Sequence, residues 1–416
     1  MSRATGVFLA ALLICGYFSP AAGAIRALPT ELELIKGQSQ TIAFALPITV
    51  SEKAQTALIG LDESAGGLSI TARETGQTNL DLSLVGIIPI ASVKVTARAG
   101  KTLIPGGGAI GIAMNMSGAL VVGLSDLSSS GKGPAGSAGI KAGDYIVSVD
   151  GSEIISAEHL TRLIRSSGGR TLDFVVKRSG KDLPIKVTPT LSDGEYRLGA
   201  WVRDSTAGIG TLSFYDPETG MFAALGHAVT DVDTGELLSL RKGSALHAEI
   251  TGVKKGEIGT PGELRGSFLR EMRVFGEILG NSIFGIYGQS DENISSPLYP
   301  NGLPAALQGE ITTGKASILS CLDGKNIEEF EIEITKLYRQ SSPKQKSMVI
   351  KVTDERLLNK TGGIVQGMSG SPIIQSGKLV GAVTHVFVGD PTQGYGLYVE
   401  WMLDKADKVD SEAKAA

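Results

Sequence analysis

The stretch from Gly362 to Pro372, Gly-Gly-Ile-Val-Gln-Gly-Met-Ser-Gly-Ser-Pro, is the most informative segment of this 416-residue chain. Covalent acyl transfer needs a serine on a tight turn, with free backbone N–H groups that face the developing oxyanion. Glycine at positions 367 and 370 permits such a turn. Ser369 is therefore the candidate nucleophile, and the N–H groups of Gly367 and Ser369 are the candidate oxyanion donors.

A histidine is the usual general base for a serine nucleophile, and the sequence contains only four. His227 lies in the small-residue segment Phe222–Asp231, which is typical of a strand that ends in a turn. His385 follows the serine turn closely within an apolar strand, whereas His247 and His159 are weaker candidates. His227 is therefore the predicted base.

The carboxylate that should orient the imidazole is harder to assign. Asp231 and Asp233 are close to His227 in sequence, whereas Asp354 ends an apolar strand between the histidine and the serine. The order histidine, aspartate, serine would suit Asp354, but this residue lies only 15 positions before Ser369. The residues alone leave the three aspartates open.

The loop around Ser369 resembles the G-x-S-G-x-P loop of trypsin-like serine proteases and differs from the G-x-S-x-G elbow of α/β-hydrolases. This resemblance implies a chymotrypsin-like double β-barrel over residues 199–405, followed by a polar tail at 406–416. The 55 glycines and the aromatic content of 5% also favour turn-rich β-structure. The predicted fold class is therefore mainly β.

Upstream of this domain, the segment Gly139–Gly151 (Gly-Ile-Lys-Ala-Gly-Asp-Tyr-Ile-Val-Ser-Val-Asp-Gly) resembles the most recognisable part of PDZ domains. The resemblance extends over residues 105–190 and implies an α+β unit with a helix at Ala157–Ile164. Such units bind peptides by adding a strand at a sheet edge beside a helix. The resemblance places the carboxylate-binding loop at Ile110, Gly111 and Ile112.

The N-terminal quarter of the chain has two parts. Residues 1–24 contain Arg3, an apolar run from Val7 to Cys15 and an Ala-Gly-Ala site, which is typical of an export signal, with an uncleaved membrane anchor as the alternative. Residues 27–100 contain short alternating runs that predict a small β-domain. Cys321 is the only cysteine beyond the first part, so neither a disulfide nor a cysteine metal site is expected.

Together with the PDZ-like unit, the segments Gly226–Asp231 and Gly362–Pro372 resemble the motifs of the SpoIVB peptidases, the stage IV sporulation protein B family. The resemblance covers nearly the full chain and implies a serine endopeptidase that needs no metal or other cofactor. The residues to which it gives a role are Ser369, His227 and Asp354 as the catalytic triad and Thr384 as a substrate contact.

The same resemblance implies a biological role. Members of the family are exported from the forespore into the space between its two membranes, where they cleave themselves near the N-terminus. They also cleave the exposed part of a membrane complex, such as stage IV sporulation protein FA. That cleavage releases an intramembrane protease, which then matures the mother-cell sigma factor K.

The expected partners are therefore proteins and peptides. The PDZ unit would take a peptide ligand, for which the chain's own N-terminus is one candidate, and the N-terminal segment would keep the protein near a membrane. The net charge of -4 gives no reason to expect nucleic-acid binding. Two other classes stay open, namely a PDZ scaffold with an inactive protease-like domain and an HtrA-like quality-control protease, in which the protease precedes its PDZ domain.

Overall fold

The computed structural model describes residues 23, 25–26, 28–43, 48–50, 57–64, 67–127, 133–267 and 273–415. The export signal or anchor expected at residues 1–24 lies outside the described residues except for Gly23. The chain divides into two compact units, with the boundary between Lys101 and Thr102. Among the described residues, none of the helices has the length and apolar character needed to cross a bilayer.

The N-terminal unit is built from β-strands around one apolar core. Strands β2, β5 and β4 form an antiparallel sheet, and a second sheet has the order β1-β7-β6-β3, in which β1 runs parallel to β7. Leu34, Leu68, Leu80 and Val93 are fully buried, as the alternating apolar pattern of these runs predicts. The strands are β1 (Glu31–Ile35), β2 (Ser39–Ala43), β3 (Ile48–Val50), β4 (Ile59–Ser64), β5 (Gly67–Ala72), β6 (Gly76–Leu84) and β7 (Ile88–Arg98).

The C-terminal unit is also mostly β-structure. Its helices are α1 (Pro134–Ser137), α2 (Ala157–Ser166), α3 (Glu355–Thr361) and α4 (Val399–Ala415), with a 3-10 turn at Gln308–Glu310. Its strands are β8 (Thr102–Pro105), β9 (Ala109–Leu124), β10 (Tyr145–Val149), β11 (Ser152–Glu153), β12 (Leu172–Arg178), β13 (Lys181–Val187), β14 (Thr190–Ser192), β15 (Glu195–Arg197), β16 (Ala200–Tyr215), β17 (Met221–Ala224), β18 (Leu240–His247), β19 (Glu249–Lys254), β20 (Glu263–Ser267), β21 (Val274–Ser282), β22 (Gly285–Ser290), β23 (Leu303–Pro304), β24 (Gly314–Asp323), β25 (Asn326–Leu337), β26 (Met348–Val352), β27 (Pro372–Gln375), β28 (Lys378–Phe387) and β29 (Asp390–Tyr398).

Six strands of this unit close into a ring. The path β9-β18-β21-β22-β17-β16 is hydrogen-bonded throughout, and a further pairing between β16 and β9 joins its two ends. Closure gives every strand of the ring two hydrogen-bonded neighbours. Ile112, Met114, Phe222 and Ile286 point into the core of this first barrel and are buried.

The PDZ-like unit is inserted between two strands of this barrel. Strand β9 continues beyond the ring, and its residues Ala119 and Leu120 pair with β10, from which β12 and β13 extend the sheet. Helix α2 begins after Ser156, whose side chain accepts a hydrogen bond from the His159 N–H, as a helix N-cap does. Ile146, Leu160 and Phe174 are buried in the core of the unit.

The insertion corrects the expected domain boundaries. Strand β9 lies within the range 105–190 that the sequence assigned to the PDZ domain, yet its first half is a strand of the first barrel. The double-barrel domain therefore includes β9 and does not begin at residue 199. A sequence that is interrupted by an inserted unit gives no local signal that its two flanks pair with each other.

The expected carboxylate-binding loop is wrong for the same reason. Ile110, Gly111 and Ile112 are consecutive residues of β9, paired with β16 on one edge and with β18 on the other. A strand that is paired on both edges has no free backbone N–H groups with which to hold a peptide terminus. A short glycine-containing apolar run fits a PDZ loop and a barrel strand equally well, so the sequence could not separate the two.

The second barrel is closed by strands β24-β25-β26-β29-β28-β27. Phe330, Ile334 and Ile373 lie in its core. Helix α4 packs on the barrel domain through Trp401, Met402, Ala406 and Val409, all of which are buried. The residues expected to form a polar tail from 406 onward therefore continue this helix as far as Ala415. The mainly-β fold class, with a PDZ unit and a chymotrypsin-like double barrel, is confirmed.

Candidate active site

The serine turn connects α3 to β27 and is held by backbone hydrogen bonds. Met368 N–H donates to the Val365 carbonyl (3.1 Å), and Ser371 N–H donates to the Met368 carbonyl (2.9 Å). Thr211 on β16 of the first barrel donates from its hydroxyl to the Gly367 carbonyl (2.7 Å) and from its N–H to the Ser369 carbonyl (3.2 Å). Both barrels therefore fix the position of Ser369.

Gly370 is required for this close approach of the two barrels. Its φ of +98° is in the left-handed region, and a Cβ at this position would lie 2.1 Å from the Thr211 carbonyl oxygen and 2.6 Å from the Leu225 nitrogen. No real Cβ makes such contacts, so only glycine fits. Ser371, the other serine of the turn, is fully buried, which leaves Ser369 as the serine that a substrate can reach.

The turn also presents two backbone donors beside Ser369. In the hydrogen-bond network of the described residues, neither the Gly367 N–H nor the Ser369 N–H has an acceptor. The carbonyls of the same two residues are held by Thr211, so these peptide groups are fixed in orientation. Such preorganised donors are suited to a developing oxyanion, as the sequence predicts for Gly367 and Ser369.

His227 lies just after β17, at the point where the first barrel meets the serine turn. Leu225, two residues before His227, has a φ of +71°, an uncommon value for leucine that is typical of functional sites. The His227 Nδ1 atom lies 2.8 Å from the Ala228 carbonyl oxygen. Because a carbonyl can only accept, Nδ1 carries the proton and Nε2 is left as the basic nitrogen. This is the tautomer that a general base requires.

Burial of the ring lowers the pKa of His227 below its ordinary value, and the hydrogen bond to the Ala228 carbonyl opposes this effect. The imidazole is therefore neutral at neutral pH and able to accept a proton. Its hydrogen-bond partner is a backbone carbonyl, which fixes the ring orientation without supplying a full negative charge.

Ser369 and His227 line one cleft with a volume of about 560 Å³. The hydroxyl of Ser369 donates to the Thr384 carbonyl at 2.6 Å, and in the described part of the chain no hydrogen bond joins it to His227. Thr384 itself is buried, and its hydroxyl donates to the Tyr395 carbonyl (3.2 Å). The expected substrate contact at Thr384 is thus placed beside the nucleophile, where its carbonyl holds the resting serine.

Asp354 is not brought to His227, so its expected place in a triad is wrong for this structure. It is the N-cap of α3, where its carboxylate accepts from the Arg356 N–H (2.9 Å) and the Glu331 N–H (3.2 Å) and pairs with the Arg356 guanidinium (2.8 Å). Chiefly through the hydrogen bond from Arg356, these contacts lower the pKa of Asp354 to about 2. A carboxylate at a helix N-terminus is a stabilising feature in its own right.

The other two candidate aspartates have structural partners as well. Asp231 is buried and is bound by the guanidinium of Arg203, and it also accepts hydrogen bonds within its own turn from Asp233 and Thr234. Asp233 pairs with the same guanidinium at 2.8 Å and is half exposed. These contacts fix the turn that follows His227. Arg203 carried no sequence signal, because its partners lie about 30 residues away.

His385 lies in the same cleft as His227, although the sequence favours His227 as the base. Its ring centroid lies 5.1 Å from that of His227, with the two planes tilted by 39°. Partial burial and the neighbouring His227 and Lys346 lower the pKa of His385. His247 instead pairs with Glu292 (2.7 Å) outside the cleft, and His159 lies on α2 of the PDZ-like unit.

The described residues contain no cluster suited to metal binding and no reactive cysteine. Within these ranges, no three His, Cys, Asp or Glu side chains are arranged to bind a metal ion. Cys321 is buried, donates weakly to the Asp323 and Gly324 carbonyls, and has a pKa raised by burial. These properties are those of an inert core thiol.

Comparison with protein families matches two parts of the chain. Residues 194–403, half of the chain, match the family described as SpoIVB peptidase S55. Residues 128–178 match the PDZ domain family. The second match lies within the inserted unit, and the first spans every strand of the two barrels after β9.

Curated relatives match over short stretches only. Serine protease HTRA1 of Xenopus laevis is 41% identical over 56 residues, which cover 14% of this chain and 12% of that protein. The regulator of sigma-W protease RasP of Bacillus subtilis (strain 168) is 32% identical over 114 residues, covering 26% of this chain and 25% of that protein. The chain spans about a quarter or less of the length of these relatives.

Among solved structures, the active form of the Rv3671c protease from M. tuberculosis is similar at 15% identity and a TM-score of 0.31, over 49% of this chain and 74% of that one. A TM-score this low does not relate the two folds by itself. The family match over half of the chain, the two closed barrels and the inserted PDZ unit all agree with one another. The chain belongs to the SpoIVB peptidase S55 family and contains a PDZ domain.

Proposed function

We propose that Ser369 and His227 are the nucleophile and the general base of this peptidase. One observation carries the proposal: both side chains line the same cleft, beside two backbone N–H groups that have no other acceptor in the described residues. The remaining serine of the turn is buried, and His247 and His159 lie outside the cleft. Among the described residues that line the cleft, Ser369 is the only serine or cysteine.

The chemistry follows from this arrangement. When a peptide enters, the Ser369 hydroxyl leaves the Thr384 carbonyl and transfers its proton to His227 Nε2 while its oxygen attacks the peptide carbonyl. The Gly367 and Ser369 N–H groups stabilise the resulting oxyanion, and the Ala228 carbonyl stabilises the charged imidazole. The imidazolium then protonates the leaving amine, and water releases the acyl group by the same steps.

The biological role is proposed from the family. The protein is exported from the forespore into the space between the two forespore membranes, with an N-terminal segment that serves as signal or anchor. There it cleaves itself near the N-terminus and cleaves a protein of a membrane complex, stage IV sporulation protein FA being the family's example. This cleavage signals the processing of the mother-cell sigma factor K.

A peptide ligand of the PDZ unit, its own N-terminal segment included, needs a site other than Ile110–Ile112. A cavity of about 230 Å³ between α2 and the start of β16 is available, and Leu160, Ile164 and Leu198 are among its apolar lining residues. The exposed Trp201 lies at the same place. We assign the PDZ ligand to this cavity.

The test is N-terminal sequencing of the products that the purified full chain and its Ser369→Ala variant release during incubation. Self-cleavage by the wild type alone, with equal melting temperatures for the two proteins, is the expected result. Cleavage of Ser369→Ala at the wild-type rate would reject Ser369 as the nucleophile. A well-folded wild type that neither cleaves itself nor reacts at Ser369 with a fluorophosphonate would support an inactive scaffold instead.

A further inference from the structure

The imidazole of His227 is held by a peptide group where a triad would have a carboxylate. Its Nδ1 atom lies 2.8 Å from the Ala228 carbonyl oxygen, and no other hydrogen bond of the ring is found within the described residues. Asp231 and Asp354 are each bound by an arginine instead. Whatever fixes the Ala228 carbonyl therefore decides how the base is oriented.

Asn281 binds the other end of the same peptide group. The Ala228 carbonyl and the Val229 N–H belong to one peptide unit, and in a trans peptide these two groups point in opposite directions. The Val229 N–H donates to Asn281 Oδ1 at 2.9 Å. A chain of hydrogen bonds thus runs from Asn281 through the peptide group to His227. Each bond in such a chain polarises the next, which makes the Ala228 carbonyl a stronger acceptor.

The rest of the Asn281 amide is also used. Its Nδ2 atom donates to the Val229 carbonyl at 2.8 Å and to the Leu238 carbonyl at 2.9 Å. Because carbonyls can only accept, the NH₂ group must face them and Oδ1 must face the Val229 N–H. The Leu238 N–H in turn donates to the Val229 carbonyl at 3.2 Å. One side chain therefore fixes both peptide groups that flank Val229.

The first barrel supplies the frame for this amide. Asn281 lies near the end of β21, and the register of the β21–β22 pairing shifts between Ile278 and Gly280, directly before it. Such bulges change the direction of a side chain and are common beside functional sites. Strand β22 also contacts the chain ahead of the histidine, since a Cβ on Gly285 would lie 2.5 Å from the Ala224 carbonyl oxygen. The β21–β22 hairpin thus holds the chain on both sides of the base.

We propose that Asn281 is the positioning residue of the general base, and that it acts on His227 through the Ala228–Val229 peptide group in place of a triad carboxylate. This inference rests on the proposed roles of Ser369 and His227. While the Ala228 carbonyl is held, Nδ1 keeps its proton and Nε2 is free to accept the proton of Ser369. Without the Asn281 amide, the peptide group is free to rotate, and the imidazole loses its orientation and its preference for this tautomer.

The test combines two measurements on the full chain, produced without a histidine tag. The first is the rate at which a fluorophosphonate labels Ser369. The second is ¹⁵N NMR of the protein labelled with ¹⁵N-histidine, in which the four histidines are assigned from single variants. We expect His227 to be protonated on Nδ1 in the wild type. In Asn281→Ala both tautomers should be present, and labelling should be slower by at least about tenfold.

Two further variants separate positioning from simple stabilisation. Tyr145→Phe removes the hydroxyl that donates to the Leu237 carbonyl (3.2 Å) and accepts from the Ser239 N–H (3.4 Å), in the same loop after the base. It should keep the His227 tautomer and label within about twofold of the wild type. Asn281→Asp keeps an acceptor for the Val229 N–H but turns an oxygen toward two carbonyls. It should melt at a lower temperature than the wild type, yet label at least about threefold faster than Asn281→Ala.

Equal slowing in Tyr145→Phe and Asn281→Ala, or an unchanged His227 tautomer in a folded Asn281→Ala, would overturn the positioning role. If the alanine variant does not fold, loss of the Nδ1-protonated form in a folded Asn281→Asp would overturn it. If Ser369 of the wild type does not label, the proposed function itself fails. The tautomer comparison would then still decide whether Asn281 orients His227.

Discussion

Replacement of Asp354 separates a structural role from a catalytic one. In Asp354→Ala, helix α3 loses its N-cap, which costs about 1 kcal/mol of stability. The ion pair with the exposed Arg356 adds little, because solvent screens the charge of the guanidinium. Asp354→Asn keeps an oxygen that can accept from the Arg356 N–H, so we expect a cost below about 1 kcal/mol. Neither variant should change kcat by more than about twofold, since the carboxylate does not contact His227.

The assay is urea unfolding, followed by intrinsic fluorescence, together with kcat for one peptide substrate under folding conditions. The pKa of Asp354 is lowered to about 2, so its contribution to stability is present above about pH 4 and is lost as the pH falls toward 2. The alanine variant should lack this part of the acid dependence. A loss of about 10⁴-fold in kcat for Asp354→Asn, at unchanged stability, would show that Asp354 orients the base in the active enzyme and would refute this reasoning.

Three other predictions concern the general base, the serine turn and the turn behind the base. Because burial lowers the pKa of His227, kcat/KM should stay constant as the pH is lowered to 6.5 and should fall only at a more acidic pH. A midpoint above pH 6.5 in the pH profile would contradict this prediction. Gly370→Ala should reduce kcat about 100-fold or more, because the new Cβ collides with the first barrel. The control is Gly377→Ala, since Gly377 has a similar φ of +73° but open space around it, and this change should cost only about 1 kcal/mol in thermal unfolding. Equal effects of the two changes would exclude the steric explanation. Arg203→Ala leaves the buried Asp231 without its cation and should lower the free energy of unfolding by about 2 kcal/mol, as measured by urea unfolding. An unchanged midpoint would show that the hydrogen bonds within the turn are enough to stabilise the Asp231 carboxylate.

The serine turn could be anticipated because its residues are contiguous. Gly367, Ser369 and Gly370 carry the chemistry and the backbone freedom within four positions, and the structure uses them as the spacing indicates. His227 could also be predicted, since a chain with four histidines offers few candidate bases. In both cases a short segment of sequence is enough to indicate the chemical role of the residue.

The failures share a different property, which is dependence on contacts between distant parts of the chain. Asp354 follows a strand at a position that suits a catalytic aspartate. Its hydrogen-bond partners in the structure are instead the neighbouring Arg356 and Glu331 of the adjacent strand. Ile110–Ile112 matches a loop pattern, yet the partner strands β16 and β18 follow the inserted unit. Register and strand partners across an insertion are tertiary properties that no short motif encodes.

The most direct test of the central claim is mass spectrometry of the full-length protein after reaction with a fluorophosphonate, in the wild type and in His227→Ala. The account predicts one adduct on Ser369 in the wild type and a loss of about 10³-fold or more in its rate of formation in the variant. An adduct on another residue, or equally fast labelling of Ser369 without His227, would contradict it.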